Sequence, residues 1–150
     1  MEEKKIVKEE AEKIFEELIF KNINLNADII IVDPIPILGE NLKMRGWMIA
    51  AQSGDQLVGY LQLSKELEFL RFSSFQRNSN SLEGCPFAKN WLEPKTILEK
   101  AISFAGKKVT MSEPYLSFHH DISRLSWIIP AETEKKVKYK IYVVGDYVFD

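Results

Sequence analysis

The sequence predicts an α+β fold of two tandem repeats, each a helix followed by three or four strands. Residues 33–69 return without a gap as residues 113–149, with Pro34, Trp47, Ile49, Ala51 and Phe69 falling on Pro114, Trp127, Ile129, Ala131 and Phe149 at a constant offset of 80. Conservative exchanges keep that register: Ile29 on Val109, Asp33 on Glu113, Leu42 on Ile122, Met48 on Ile128, Ser53 on Thr133, Leu57 on Val137, Leu61 on Ile141 and Leu63 on Val143. Self-similarity at a fixed period marks a repeated supersecondary unit. Each copy also opens with an apolar stripe of helical spacing and continues in runs of period two. The implied boundaries are 1–74 for the first repeat, 75–93 for a linker and 94–150 for the second. At 150 residues one shared core is expected, because a chain of that size buries about 70% of the surface its unfolded form exposes.

The first helix is expected over residues 4–20, with Val7, Ala11, Ile14 and Leu18 inward and Phe15 and Ile19 widening the stripe. Ile23 and Leu25 alternate with Asn22, Asn24 and Asn26, which suits a connection because Asn prefers turns and caps. The β-branched run at 29–32 reads as a buried strand, bent or at an edge where Pro34 and Pro36 remove two ladder donors. A turn at 39–43 leads into a strand at 44–51 with Trp47, Ile49 and Ala51 on one face. Ser53-Gly54-Asp55 closes a hairpin onto a strand carrying Leu57, Gly59, Leu61 and Leu63 at period two, and a further strand is expected at 67–73. Residues 75–91 are rich in Asn, Ser and Gly and read as a connection, docked by Phe87 and Trp91.

Pro94 opens the second helix, with Leu98, Ala101, Ile102 and Ala105 inward and Gly106 as its stop. Strands follow at 109–118, 124–131 and 137–144, the last with Val137, Tyr139, Ile141 and Val143 inward. Pro130 lacks a donor and predicts an edge or a bulge in its strand. Tyr139 stands at the image of Gly59, a large-for-small exchange that could let the two units fill each other's space.

Composition excludes several classes. A formal net charge of −2 and pI near 5.8 lack the concentrated basic face that a nucleic-acid binder needs. The one basic cluster, Lys135, Lys136, Lys138 and Lys140, reads as a solvated strand face. One cysteine, Cys85, forms no intrachain disulfide and fits a reducing compartment. The start Glu2-Glu3-Lys4-Lys5 lacks a signal-peptide core, and no apolar run is long enough to span a bilayer. The expected setting is cytoplasmic, provided no envelope-targeting segment has been trimmed.

No catalytic signature is legible. His119, His120 and Asp121 suggest metal ligands, but neighbours on an extended segment point to opposite sides and no third histidine completes a site. Cys85 lies between Gly84 and Pro86 without a base to lower its pKa. Gln52-Ser53-Gly54-Asp55 is no nucleophile elbow, and Gly39 and Gly46 precede a strand without the Lys-Ser or Lys-Thr of a phosphate loop. The helical glutamates beside lysines read as a solvated face. Neither an enzyme nor a cofactor or metal is expected.

Three runs of the second unit carry a family resemblance: Pro94-Lys95-Thr96-Ile97-Leu98-Glu99-Lys100-Ala101, then Arg124-Leu125-Ser126-Trp127, then Tyr142-Val143-Val144-Gly145-Asp146-Tyr147-Val148. In this order they resemble a PepSY domain. The first unit is similar, from Glu9-Glu10-Ala11 through Arg45-Gly46-Trp47 to Leu61-Gln62-Leu63, although Ser64-Lys65-Glu66 lacks the closing glycine. The resemblance implies an antiparallel sheet with helices packed on one face, as in cystatin-like folds. It also implies a non-catalytic role, because such domains serve as protease-inhibiting or chaperoning modules in propeptides and bacterial envelope proteins. This sequence shows neither leader, anchor nor protease, and a fold can carry over where function does not.

The leading expectation is therefore a protein-binding module for an unidentified protein partner, with Phe72, Phe75, Phe87 and Trp91 as contact residues. A small-molecule binder or enzyme using a cavity between helix and sheet is the alternative, disfavoured by the almost entirely apolar inward positions. Self-association through paired edge strands, giving a homodimer, is a third.

Overall fold

The computed structural model describes residues 2–23, 28–119 and 121–150, with the backbone alone at 121–123. The chain is α+β. Its helices are α1 (Glu2–Ile14), α2 (Lys89–Leu92) and α3 (Pro94–Ala105). The strands are β1 (Ile30–Ile31), β2 (Ile35–Leu38), β3 (Met44–Ser53), β4 (Gln56–Ser64), β5 (Phe69–Ser74), β6 (Thr110–Met111), β7 (Tyr115–His119), β8 (Asp121–Glu132), β9 (Lys138–Val144) and β10 (Tyr147–Phe149). The chain divides into two compact units, Met1–Ile37 with Lys43–Ala88, and Leu38–Leu42 with Lys89–Asp150. The connection expected at Asn24, Leu25 and Asn26 lies outside the described residues.

In the first unit α1 continues into a π turn (Phe15–Ile19) and a 3₁₀ turn (Phe20–Asn22), and the Phe20 N–H donates to the carbonyl of Phe15. The buried stripe is Val7, Ala11, Phe15 and Ile19. A constant step of four overshoots the 3.6-residue α turn by about 40° each time. The π turn, closed by an i→i+5 bond, advances less per residue and holds Ile19 over the sheet. Straight α periodicity therefore misplaced Leu18, which is 53% exposed. The stripe packs on Trp47, Ile49, Ala51, Val58, Leu61 and Leu63, one face of β3 and β4. Phe15 stacks on Phe20 at 5.4 Å and meets the edge of Phe72 at 5.9 Å.

Strand order in this unit is β2-β3-β4-β5, and β1 pairs antiparallel with β3 on the side opposite β4. The run at 29–32 is not a buried strand. Only two residues ladder, Ile29 and Ile31 lean on the core, and Ile30 is 60% exposed. Val32 donates the last bond, to Ala50, before Pro34 interrupts the edge. Across the hairpin Trp47 faces Leu63, Ile49 faces Leu61 and Ala51 faces Gly59. The space above Gly59 is taken by Phe72 of the same unit, whose ring a β-carbon at 59 would meet at 2.5 Å. That supersedes the exchange expected between Gly59 and Tyr139. Much of the segment read as a linker belongs to this unit. Leu57 donates to Pro86, Ala88 to Asp55, and the Gln56 amide to the carbonyls of Leu82 and Cys85 at 3.1 Å each.

In the second unit the order is β10-β9-β8-β7, with β6 also on β8. The strand expected at 109–118 is two pieces, β6 and β7, separated by Ser112, Glu113 and Pro114. Ser112 donates to the carbonyl of Pro130, so the side on which Pro130 lacks a donor is the side where the neighbouring strand breaks off. Pro130 thus sits in an interior strand whose register with β9 runs without a bulge, contrary to the expected edge. Trp127 faces Val143, Ile129 faces Ile141 and Ala131 faces Tyr139.

The helix α3 begins at Pro94 and ends at Gly106 (φ 92°), and it lies against β8, β9 and β10. It buries Ile97 and Ala101, one turn apart, while Ile102 is exposed rather than inward. Val137 is also exposed, because its backbone closes the turn onto Thr133 instead of joining the ladder. Gly145 (φ 58°) turns β9 into β10, a strand not foreseen from the sequence. No described helix is long and apolar enough to cross a membrane.

Candidate binding surface

β5 is the last strand of the first unit, paired antiparallel with β4 on one side and with no described strand on the other. Its register shifts between Gln62 and Leu63, so Leu70 is an extra residue in the edge strand, a β-bulge. Large apolar side chains nonetheless stay in solvent there: Phe69 is 42% and Leu70 51% exposed. Beside this strand lies a groove of about 360 Å³ with Leu18, Ile19, Ile23 and Phe72 as its apolar lining. Asn22, Gln76, Arg77 and Asn78 contribute polar groups. The π turn creates half of this surface, since it turns Leu18 out while burying Ile19.

Arg77 is the groove's one ionisable group among the described residues. Its guanidinium crosses Gly84 so closely that a β-carbon there would meet Nε at 2.8 Å, and Gly84 has φ 82°. The positive φ favours glycine at 84, whereas the guanidinium, at the end of a flexible side chain, could move aside for a β-carbon. A lone guanidinium attracts anions and hydrogen-bond acceptors but supplies no general base, so the groove can bind and cannot by itself catalyse proton transfer.

The four residues expected as contacts have different placements. Phe72 lines the groove while its ring reaches the core. Phe75 leaves the end of β5, donates its N–H to Val58 and lies against Tyr60 at 5.9 Å. Phe87 bridges to Gln56 and is exposed. Trp91 belongs to the second unit, where its carbonyl accepts from Trp127 Nε1 at 2.6 Å and its indole covers Gly145. Lys100 reinforces the same corner by donating to the Gly145 carbonyl at 2.7 Å, beside Asp146 at 3.6 Å. Phe69, Leu70 and Leu18 are not among the contacts expected from the sequence, where Leu18 is placed inward and Phe69 enters only as a repeat position. Their signal is strand order and helix pitch, neither of which is local.

Among the described residues the remaining reactive groups do not assemble a site. His119 packs in an aromatic cluster with Tyr142 at 4.5 Å and Phe149 at 5.1 Å. His120 lies outside the described residues, as does the Asp121 side chain. Among the described residues no group of three or more His, Cys, Asp or Glu is placed to hold a metal. Cys85 is buried, and desolvation raises its thiol pKa, which is opposite to what a nucleophile needs. In the second unit a pocket of about 470 Å³ runs over Thr110, Ser112, Pro130, Glu132 and Lys138, with Glu132 opposite Lys138 in register.

No protein-family model matches the chain, and no match is found among curated proteins or solved structures.

Proposed function

We propose that the protein is a non-catalytic protein-binding module that receives an extended segment of its partner along β5. The observation that carries this reading is an edge strand with one side unpaired among the described residues and two large apolar residues in solvent, beside an apolar groove. Strand addition to such an edge takes affinity from main-chain hydrogen bonds and specificity from side-chain pockets. Folded proteins ordinarily blunt exposed edges with charge, proline or a bulge. Here the edge has a bulge, but the residue it turns to solvent is Leu70, apolar rather than charged.

We also infer that the two units are tandem copies of one PepSY-like ancestor. Support comes from pairing as well as from sequence. Ile31 on Ala51, Trp47 on Leu63 and Ile49 on Leu61 have images, each shifted by 80 residues, in Met111 on Ala131, Trp127 on Val143 and Ile129 on Ile141. Under this reading the role is that of a protease-inhibiting or chaperone-like regulator in the cytoplasm, and the solvated hydrophobic edge suits either. Capture from lysate with wild type and with a Phe69→Lys/Leu70→Lys variant tests the surface. A stoichiometric partner retained by the first and lost by the second is expected. Equal retention by a folded variant would place binding elsewhere.

A further inference from the structure

We propose that one partner of β5 is β5 of a second copy of the same chain. This rests on reading β5 as a strand-pairing edge and adds the identity of the occupant. The tetrad Glu68-Phe69-Leu70-Arg71 is self-complementary when laid antiparallel on itself, with Glu68 opposite Arg71 and Phe69 opposite Leu70 in both halves.

Parity decides whether that pairing is possible. In a regular strand residues three apart point to opposite faces, so Glu68 and Arg71 of two copies could not meet. The bulge removes the obstacle. Arg71 pairs with Gln62 and Phe69 with Leu63, while Ser64 donates to the Glu68 carbonyl, which sets Glu68 opposite Ser64. Gln62 and Ser64 share one face of β4, and so do Glu68 and Arg71 on β5. The extra residue Leu70 lies between them, and Phe69 takes the other face with Leu63. A two-fold axis normal to the sheet keeps like faces together. Each Glu68 then meets the other copy's Arg71, and the joined edge covers the Phe69 and Leu70 side chains now in solvent. Directly opposed charges stabilise antiparallel pairing, and so does removing apolar surface from water.

The charges are uncommitted within the chain. Neither Glu68 nor Arg71 makes an ion pair among the described residues. The ladder ends at Glu68, because Leu67 has φ 68° and belongs to the preceding turn. The contact is therefore short, and the dimer dissociates on dilution.

Sedimentation velocity of the full chain over a wide concentration range tests this. Wild type is expected to shift from monomer to dimer as concentration rises. Glu68→Arg and Arg71→Glu, each alone, oppose like charges and weaken association by about tenfold or more. An equimolar mixture of the two single variants restores it. The first variant is basic at both positions of the tetrad and the second acidic at both, so every charge in a mixed pair faces its opposite. Restoration in the mixture also shows that neither variant has lost its fold. Wild type monomeric at every concentration, association indifferent to the reversals, or a mixture that stays monomeric each overturns the second copy. The edge itself is judged separately by the captured partner. If wild type and Phe69→Lys/Leu70→Lys retain the same proteins as well, the strand-pairing reading falls with it.

Discussion

The α-hydrogens of Gly59 face the ring of Phe72 and the carbonyl of Ser73, both close enough that a β-carbon would collide. Phe72 is held by Phe15, and Ser73 is backbone, so neither can yield cheaply. Gly59→Ala is expected to cost about 1–3 kcal/mol, the usual range for overpacking, read as a lower urea midpoint at unchanged m-value. An unchanged midpoint would mean that β5 is looser over β4 than described. Gly59 was legible as a small residue at an inward position, read as room for Tyr139; that Phe72 fills the space was not, because it reaches Gly59 only through the β4–β5 register. Cys85 yields a pH prediction. Burial raises its thiol pKa, so the unfolded chain ionises first as pH rises. That contribution to stability is complete below the ordinary thiol value, falls as pH climbs through it, and is fully lost above the raised one. Cys85→Ala should remove this alkaline component of a stability–pH profile.

At the scale of elements, the first helix separates a period from a pitch. The sequence shows where a helix lies and which residues are apolar, yet Leu18 and Ile19 compete for the same inward position until the π turn is known. Ile19 is buried and Leu18 exposed. Ile19→Ala is therefore expected to cost about 2–4 kcal/mol, and Leu18→Ala less than about 0.5. Reversed costs in chemical denaturation would mean the helix continues as α through residue 19. The strands follow a similar pattern. Central ones with alternating residues, β4 and β9, were plain in the sequence. Broken edges were not, because Ser112 and Pro114 end the pairing of β6 for reasons that lie across the sheet at Pro130.

At the scale of the molecule, the α+β class could be read from periodicity, but the candidate surface could not. Phe69 and Leu70 look like any other apolar pair in the sequence and acquire meaning only when β5 turns out to be an edge. Aromatic content drew the sequence reading toward Phe75 and Trp91, both of which the fold employs, one against Tyr60 and the other over Gly145. Both the partner-binding role and the dimer depend on β5 being open, and its amide hydrogen exchange reports that directly. Phe75 donates to Val58, and antiparallel alternation then turns the N–H groups of Arg71 and Ser73 toward β4 and those of Phe72 and Ser74 outward. In dilute monomeric protein, residue-resolved exchange by NMR should show Phe72 and Ser74 exchanging fast between slow neighbours. Uniform protection along 71–75 would contradict the account, because it would mean that the edge is already covered.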